Sequence, residues 1–129
     1  MDELTTFLFE MADISPCRIL ELTGDEGTAA SLKEQGFDVV RPDEGTFEEV
    51  SFDAVISQDS AAAAEAAKLL KQGGTYLLSD VCLTDVKEHV LALEEAGFVV
   101  LHVEDATFLR SAAHPEEKHH YFLTVCEKL

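Results

Sequence analysis

The stretch Ile19–Gly27 reads ILELTGDEG and has the layout of a nucleotide-binding turn. An apolar run typical of a buried strand ends at the carboxylate of Glu21, and a loop with two glycines leads into a helix-like segment. Glycine lets a ligand approach the backbone, and a helix start offers unpaired N–H donors. The stretch therefore predicts a ligand-binding loop, although Thr23 and Asp25 stand where such loops usually have glycine.

The remaining chain alternates short apolar runs with segments that have helical periodicity. The predicted strands are 17–22, 37–40, 52–57, 75–79, 98–103 and 121–126, and the predicted helices are 4–13, 28–35, 61–71 and 85–96. Near-continuous apolar strands that alternate with helices predict an α/β fold, a Rossmann-like and mostly parallel sheet with helices on both faces. No helix separates the last two strands, so we expect them to form a C-terminal antiparallel hairpin.

Two predicted helix ends share one pattern, with LKEQGFDVV at 32–40 and LEEAGFVVL at 93–101. Each has a helix end, a glycine that can adopt the left-handed conformation, and an immediate strand. We interpret them as two copies of one helix-to-strand junction. Further along, Thr28 and Asp85 are the residues expected to cap the second and fourth helices, and Val86, Val90 and Leu93 are expected to lie on one face of the fourth.

Composition narrows the classes of function. With 129 residues, the chain is expected to be one domain, 1–129. Its formal charge of −17 with nine basic residues leaves no basic stripe for nucleic acid, and no apolar run reaches the ~20 residues of a membrane span. The acidic N-terminus differs from a secretory signal, and the three cysteines lack zinc or redox spacing. We expect a soluble, cytoplasmic protein without a metal site.

In an open α/β sheet, ligands bind beyond the carboxyl ends of the strands. That rule selects five stretches, namely 23–27, 41–43, 57–60, 79–82 and 112–120. Glu21 is placed to hold an ammonium group. Asp43, about twenty positions after the glycine loop, is placed to accept hydrogen bonds from ribose hydroxyls. A histidine of the last stretch, His119 or His120, is a candidate general base near neutral pH.

The order of these blocks resembles class I S-adenosylmethionine-dependent methyltransferases from Cys17 to the end of the chain. The most specific blocks are FDAVIS at 52–57 and, across one helix, LLKQGGTYLLSD at 69–80. The resemblance implies an S-adenosylmethionine site with Glu21 beside the methionine portion and Asp43 on the ribose. The residues implied to contact this cofactor are Glu21, Thr23, Gly24, Gly27, Asp43 and Ser57. The residues implied near the transferred methyl group or the acceptor are Gln58, Asp59, Asp80 and His119.

Two departures from the family pattern bear on function. Glu-Leu-Thr-Gly-Asp-Glu-Gly replaces the usual acidic-x-Gly-x-Gly-x-Gly, and carboxylates at Asp25 and Glu26 would repel the carboxylate of the cofactor. Between Asp43 and Phe52 there is no room for the helix and strand that the family has there, so one helix–strand unit is missing. The sheet edge left exposed makes a homodimer plausible.

Two functions follow from the same residues. The first is an S-adenosylmethionine-dependent methyltransferase that acts on a small neutral or cationic molecule, a charge preference that follows from the acidic surface. The second is a catalytically inactive methyltransferase-like domain that serves as a protein-binding or scaffold module. Glu21, Asp43 and the Gln-Gly-Gly block favour the first, while the altered loop and the missing unit favour the second.

Overall fold

The structure is a computed structural model that describes residues 3–23, 26–42, 52–58, 62–82, 85–107 and 120–129. The helices are α1 (Glu3–Ala12), α2 (Glu26–Glu34), α3 (Ala63–Leu69) and α4 (Val86–Glu95). The strands are β1 (Arg18–Thr23), β2 (Asp38–Val40), β3 (Phe52–Ser57), β4 (Leu70–Cys82), β5 (Phe98–Asp105) and β6 (His120–Lys128).

The described strands form one six-stranded sheet in the order β2-β1-β3-β4-β6-β5. The pairs β1–β2, β1–β3 and β3–β4 are parallel, whereas β6 runs antiparallel to both β4 and β5. The predicted α/β fold with a C-terminal antiparallel pair is confirmed. Since β1, β3 and β4 are parallel, their carboxyl ends meet at one edge of the sheet, as a ligand site requires.

Each face of the sheet has its own apolar core. On one face, Leu8 of α1 and Leu32 of α2 pack with strand residues such as Ile19 and Ile56. On the other, Ala66 of α3 and Leu93 of α4 pack with strand residues that include Tyr76. Helices therefore cover both faces, as predicted, and we refer below to the α1/α2 face and the α3/α4 face.

The two predicted helix-to-strand junctions have the same backbone conformation. Gly36 has φ +97° and Gly97 has φ +101°, the left-handed region that residues with a Cβ atom rarely adopt. In each case the glycine ends a helix and the chain enters a strand within two residues. The repeated pattern is thus a local solution that both helices share.

Two local predictions were wrong. Thr28 does not cap α2, because the helix already begins at Glu26, whose carboxylate suits a helix N-terminus, and Thr28 is fully buried within it. Helix α3 ends at Leu69, earlier than its alanine-rich composition predicts, because Leu70 pairs with Phe52 at the start of β4. Tertiary pairing overrides helix propensity here.

Helix α4 begins where predicted, and its buried face includes a histidine. Asp85 caps this helix as predicted, since its carboxylate accepts a hydrogen bond from the Glu88 amide at 3.0 Å. The buried side chains are His89 and Leu93, however, and Val86 is 46% exposed. Burial of His89 is possible because its ring has a hydrogen-bond partner in the core, described below.

Strand β2, only three residues long, lies at one edge of the described sheet. The segment in which we expect one helix–strand unit to be missing, 43–51, lies outside the described residues, so the homodimer through this edge stays a prediction. Within the described ranges, no helix is long and apolar enough to cross a membrane.

Candidate functional site

The carboxyl ends of β1 and β3 are held at adjacent positions in the sheet. Glu21 lies opposite Ile56, and Thr23 lies opposite Ser57, so β1 has one more residue than β3 at this point. Such a β-bulge changes the direction of the side chains around it and is common beside binding sites. The irregularity coincides with the loop that the sequence selects.

Glu21 is a buried carboxylate at this edge, with 1% of the residue exposed. It follows Ile19 by two positions and therefore lies on the α1/α2 face. Burying a carboxylate costs roughly several kcal/mol of folding free energy unless a cation or hydrogen-bond donors compensate the charge. The buried carboxylate of Glu21 thus requires a positively charged partner.

Arg41 supplies that positive group. Its Nε lies 3.6 Å from Glu21 Oε1. The register of β1 and β2 accounts for the contact, because Leu20 lies opposite Val40 and the next residue pair is Glu21 and Arg41. The guanidinium also reaches the first turn of α2, where Nη1 lies 4.0 Å from Glu26 Oε1. The Glu26 side chain is 94% exposed, so this second contact is at the surface.

Thr23 joins the carboxyl ends of β1 and β3 by hydrogen bonds. The backbone amide of Gln58 donates to Thr23 Oγ1 at 3.0 Å, and Thr23 Oγ1 donates to the Gln58 carbonyl at 3.1 Å. The same amide lies 3.0 Å from the Thr23 carbonyl. The Thr23 hydroxyl therefore holds the ends of β1 and β3 in a fixed geometry, whereas a glycine at this position would leave them more flexible.

The Gln58 side chain extends over the α1/α2 face towards α1. Its Nε2 donates to Oγ1 of Thr5, a buried residue, at 2.7 Å. Its Oε1 is buried and has no hydrogen-bond partner among the described residues. A buried amide oxygen is costly to leave without a donor, so the site has an acceptor that suits an N–H or O–H group of a ligand.

The α3/α4 face at the same edge has a different character. The Tyr76 hydroxyl donates to Ser57 Oγ at 3.1 Å and accepts from the Ala62 amide at 3.0 Å. Burial is the main cause that raises the pKa of Tyr76, so the phenol stays neutral. Ser57 is fully buried in this arrangement.

A second neutral pair lies further along the α3/α4 face. His89 Nε2 lies 2.8 Å from Thr124 Oγ1, and the imidazole is tilted against the Phe122 ring with centroids 5.1 Å apart. Burial lowers the pKa of His89, while the negative charge of Asp80 acts in the opposite direction and is the weaker cause. His89 is therefore a neutral core residue, in agreement with a packing role.

The predicted site residues fall into three groups. Glu21, Thr23 and Gln58 come together at the ends of β1 and β3, and Gly27 lies exposed in the first turn of α2. The side chains of Ser57 and Asp80 lie on the α3/α4 face, opposite to that of Glu21. The predicted site residues outside the described parts of the chain are Gly24, Asp43, Asp59 and His119.

Sequence reasoning missed the contacts of Arg41 and Thr5. Arg41 was within the 41–43 stretch, but a guanidinium that pairs with Glu21 follows from the strand register, which local sequence does not contain. Thr5 lies 53 positions from Gln58, and nothing in its own helix distinguishes it from a surface residue. Among the described residues, no group of three His, Cys, Asp or Glu side chains is arranged for a metal ion.

The donor set can be tested for its fit to the amino-acid portion of S-adenosylmethionine. An ammonium group needs carboxylate or carbonyl acceptors, and this edge offers the buried carboxylate of Glu21 and the buried Oε1 of Gln58 on one face. Arg41 is already paired with Glu21 and Glu26, at 3.6 Å and 4.0 Å. The residues present therefore fit the ammonium end of an amino-acid group.

The comparisons with known proteins concern the fold. No protein-family model matches the chain, and no curated protein matches its sequence. Many solved structures match its fold. One is the 1,6-didemethyltoxoflavin-N1-methyltransferase of Burkholderia thailandensis with bound 1,6-didemethyltoxoflavin and S-adenosylhomocysteine, which is 16% identical with a TM-score of 0.72. That match covers 97% of this chain and 76% of the other.

Two further neighbours are nearer in length. A putative methyltransferase of Bacillus halodurans is 14% identical with a TM-score of 0.72, over 98% of both chains. A structure of the Haloferax volcanii Trm112 methyltransferase activator in complex with the putative methyltransferase matches with 14% identity and a TM-score of 0.71, over 97% of this chain and 88% of that one. The chain thus has the fold of class I S-adenosylmethionine-dependent methyltransferases, in shortened form.

Proposed function

We propose that this chain binds S-adenosylmethionine at the carboxyl ends of β1 and β3 and transfers its methyl group to a small neutral or cationic molecule. The observation that carries the proposal is the buried Glu21 carboxylate at the end of the first parallel strand, on the same face of the sheet as the buried acceptor oxygen of Gln58. Both oxygen acceptors suit the ammonium group of the cofactor.

The chain's own residues would act mainly by positioning. When bound, the cofactor supplies an electrophilic methyl group on a sulfonium sulfur. Glu21 holds the ammonium group, Thr23 keeps the two strand ends at a fixed separation, and Asp43 accepts hydrogen bonds from the ribose. Gln58 would lie near the methyl group, as the resemblance implies. Alignment of the acceptor behind the methyl is the main requirement of such a transfer, so a short scaffold is sufficient.

The candidates for orienting or deprotonating the acceptor are Asp59, Asp80 and His119. Asp80, like the cofactor candidate Ser57, has its side chain on the face opposite to Glu21, so a contact from either requires the ligand to extend around the sheet edge. The loop glycines Gly24 and Gly27 stay predicted backbone contacts. The net charge of −17 favours neutral or cationic acceptors over anionic ones.

Calorimetric titration with S-adenosylhomocysteine tests this proposal. We expect wild-type protein to bind at about micromolar concentration and Glu21→Gln to bind at least about tenfold more weakly, since hydrogen bonds to a charged group contribute about 1.5–3 kcal/mol. Asp43→Ala should weaken binding as well. Glu95→Gln, which removes the same charge from an exposed position on α4, is the matched control and should leave the affinity unchanged.

A second function has one specific observation in its favour. Arg41 already pairs with the Glu21 carboxylate, so the burial of this charge does not require a cationic ligand. A methyltransferase-like scaffold that binds a protein partner would need no ligand at Glu21. One structural neighbour is a complex with a methyltransferase activator. An absence of both binding heat and thermal stabilisation at millimolar S-adenosylhomocysteine would exclude the enzyme and leave this alternative.

A further inference from the structure

Arg41 is located between two carboxylates of opposite accessibility. The Glu21 side chain is completely buried and lies 3.6 Å from Arg41 Nε, whereas the Glu26 side chain is 94% exposed and lies 4.0 Å from Nη1. The Arg41 side chain itself is 28% exposed. The Arg41 guanidinium is thus shared by the buried carboxylate of Glu21 and the exposed carboxylate of Glu26, which we call the inner and the outer anion. The three side chains together carry one net negative charge.

The inner contact is an ion pair that can be replaced. Its 3.6 Å separation is longer than the roughly 2.7–2.9 Å of a charge-assisted N–H···O hydrogen bond. The outer contact is a surface pair, and such pairs contribute about 0–1 kcal/mol. A guanidinium that moves from Glu21 towards Glu26 therefore stays next to an anion, provided that another cation takes its place at Glu21.

A ligand ammonium is a cation of that kind. Glu21 cannot be left without a positive partner, because a buried carboxylate without compensation costs several kcal/mol, roughly. An ammonium and a guanidinium on the same carboxylate also repel each other at short distance. Binding of the ligand ammonium and displacement of the Arg41 guanidinium are thus coupled, and Glu26 is positioned to pair with the displaced guanidinium.

We propose that Arg41 is a movable counter-ion that occupies the ammonium position of the site and swings to Glu26 when an amine-bearing ligand binds. This inference rests on the proposed function, because it assigns a regulatory residue to the same cofactor site. The exchange lowers the affinity for any ligand that carries the amino-acid portion, and it leaves the affinity for a ligand without that portion unchanged. Arg41 therefore determines specificity at the site.

Two ligands and two variants test the exchange by calorimetry. S-adenosylhomocysteine carries the ammonium group, whereas 5′-methylthioadenosine has the same nucleoside without the amino-acid portion. We expect Arg41→Gln to bind S-adenosylhomocysteine about tenfold more tightly than wild type, equivalent to about 1.4 kcal/mol, with no change for methylthioadenosine. Glu26→Gln removes the outer anion, and it should weaken S-adenosylhomocysteine binding about twofold to threefold.

Glu26→Gln keeps the test decisive if Arg41→Gln does not fold, because the Glu26 side chain is exposed. Weaker or unchanged S-adenosylhomocysteine binding by Arg41→Gln overturns the inference, and weaker binding would make Arg41 a ligand for the cofactor carboxylate instead. Tighter or unchanged binding by Glu26→Gln overturns it too. Failure of every protein, wild type included, to bind either ligand rejects the proposed function itself, and the inference with it.

Discussion

The two faces of the sheet treat buried polar groups in different ways at the same carboxyl edge. On the α3/α4 face, the Tyr76–Ser57 and His89–Thr124 pairs are neutral and partnered within the core. On the α1/α2 face, Glu21 is a buried charge compensated by a partly exposed arginine. Neutral, mutually bonded pairs stabilise one packing arrangement, whereas a charge with a replaceable partner allows a ligand to compete. Under the proposed function, the first face contributes stability and the second contains the binding site.

The largest effect is expected at Gly74, which lies within β4. A Cβ on Gly74 would lie 2.8 Å from the Lys71 carbonyl oxygen and 3.1 Å from that of Asp53. Backbone atoms cannot yield at such distances, so Gly74→Ala should lower the free energy of unfolding by about 3 kcal/mol, measured by urea denaturation.

Gly97→Ala is the matched control, because nothing lies within 4 Å of its Cβ and only its φ of +101° opposes the change. The expected cost there is about 1 kcal/mol. Equal losses in the two variants would show that conformational preference, and not the close approach, determines the requirement for Gly74.

The next effect concerns the ion pair on the α1/α2 face. Arg41→Gln leaves the Glu21 carboxylate without its guanidinium and should destabilise the protein by about 2 kcal/mol, less than a fully buried pair because Arg41 is 28% exposed. The Glu21→Gln, Arg41→Gln double variant should regain most of that loss, since neither residue is then charged. A double variant as unstable as Arg41→Gln would refute the compensation of charge.

A smaller loss of stability is expected on the α3/α4 face when the Tyr76 hydroxyl is removed. Tyr76→Phe deprives Ser57 Oγ and the Ala62 amide of their partner and should cost about 1.5 kcal/mol in denaturant unfolding. Affinity for S-adenosylhomocysteine should be unchanged, because this face is assigned to stability. A tenfold loss of affinity in Tyr76→Phe at unchanged stability would remove the distinction between the faces.

The smallest effect is a pH dependence due to His89. Burial lowers its pKa in the folded state below the ordinary value of about 6.5, so the unfolded chain takes up the proton first as the pH falls. Stability is therefore fully present above about pH 6.5 and declines below it, down to the folded-state pKa. His89→Gln should lack this decline.

The measurement for His89 is the difference in unfolding free energy between wild type and His89→Gln at about pH 7.5 and about pH 5.5. Taking the difference removes the contribution that the many carboxylates make to both proteins. A difference that stays constant across this range would contradict a neutral buried imidazole.

Much of the architecture follows from local patterns in the sequence. The apolar runs, the paired Gly36 and Gly97 junctions, and the Asp85 cap predict strands, turns and a helix start correctly, because each depends on neighbouring residues. The limits of α3 were not predictable in this way. Leu70 leaves the helical pattern because it pairs with Phe52, a contact between distant parts of the chain.

The candidate site was predictable only in part, for the same physical reason. The position of Glu21 at a strand end follows from the apolar run before it, but its pairing with Arg41 depends on the β1–β2 register. The partners of Ser57 and Gln58, which are Tyr76 and Thr5, were likewise beyond the sequence. They depend on the β3–β4 register and on the packing of α1 against the sheet.

The most direct measurement is a crystal structure of the wild-type protein with S-adenosylhomocysteine. The account predicts that the ligand's amino nitrogen lies within about 3 Å of the Glu21 carboxylate and that the Arg41 guanidinium has moved from Glu21 to Glu26. A ligand bound elsewhere, or a bound ligand with the Arg41–Glu21 contact still at 3.6 Å, would contradict the account.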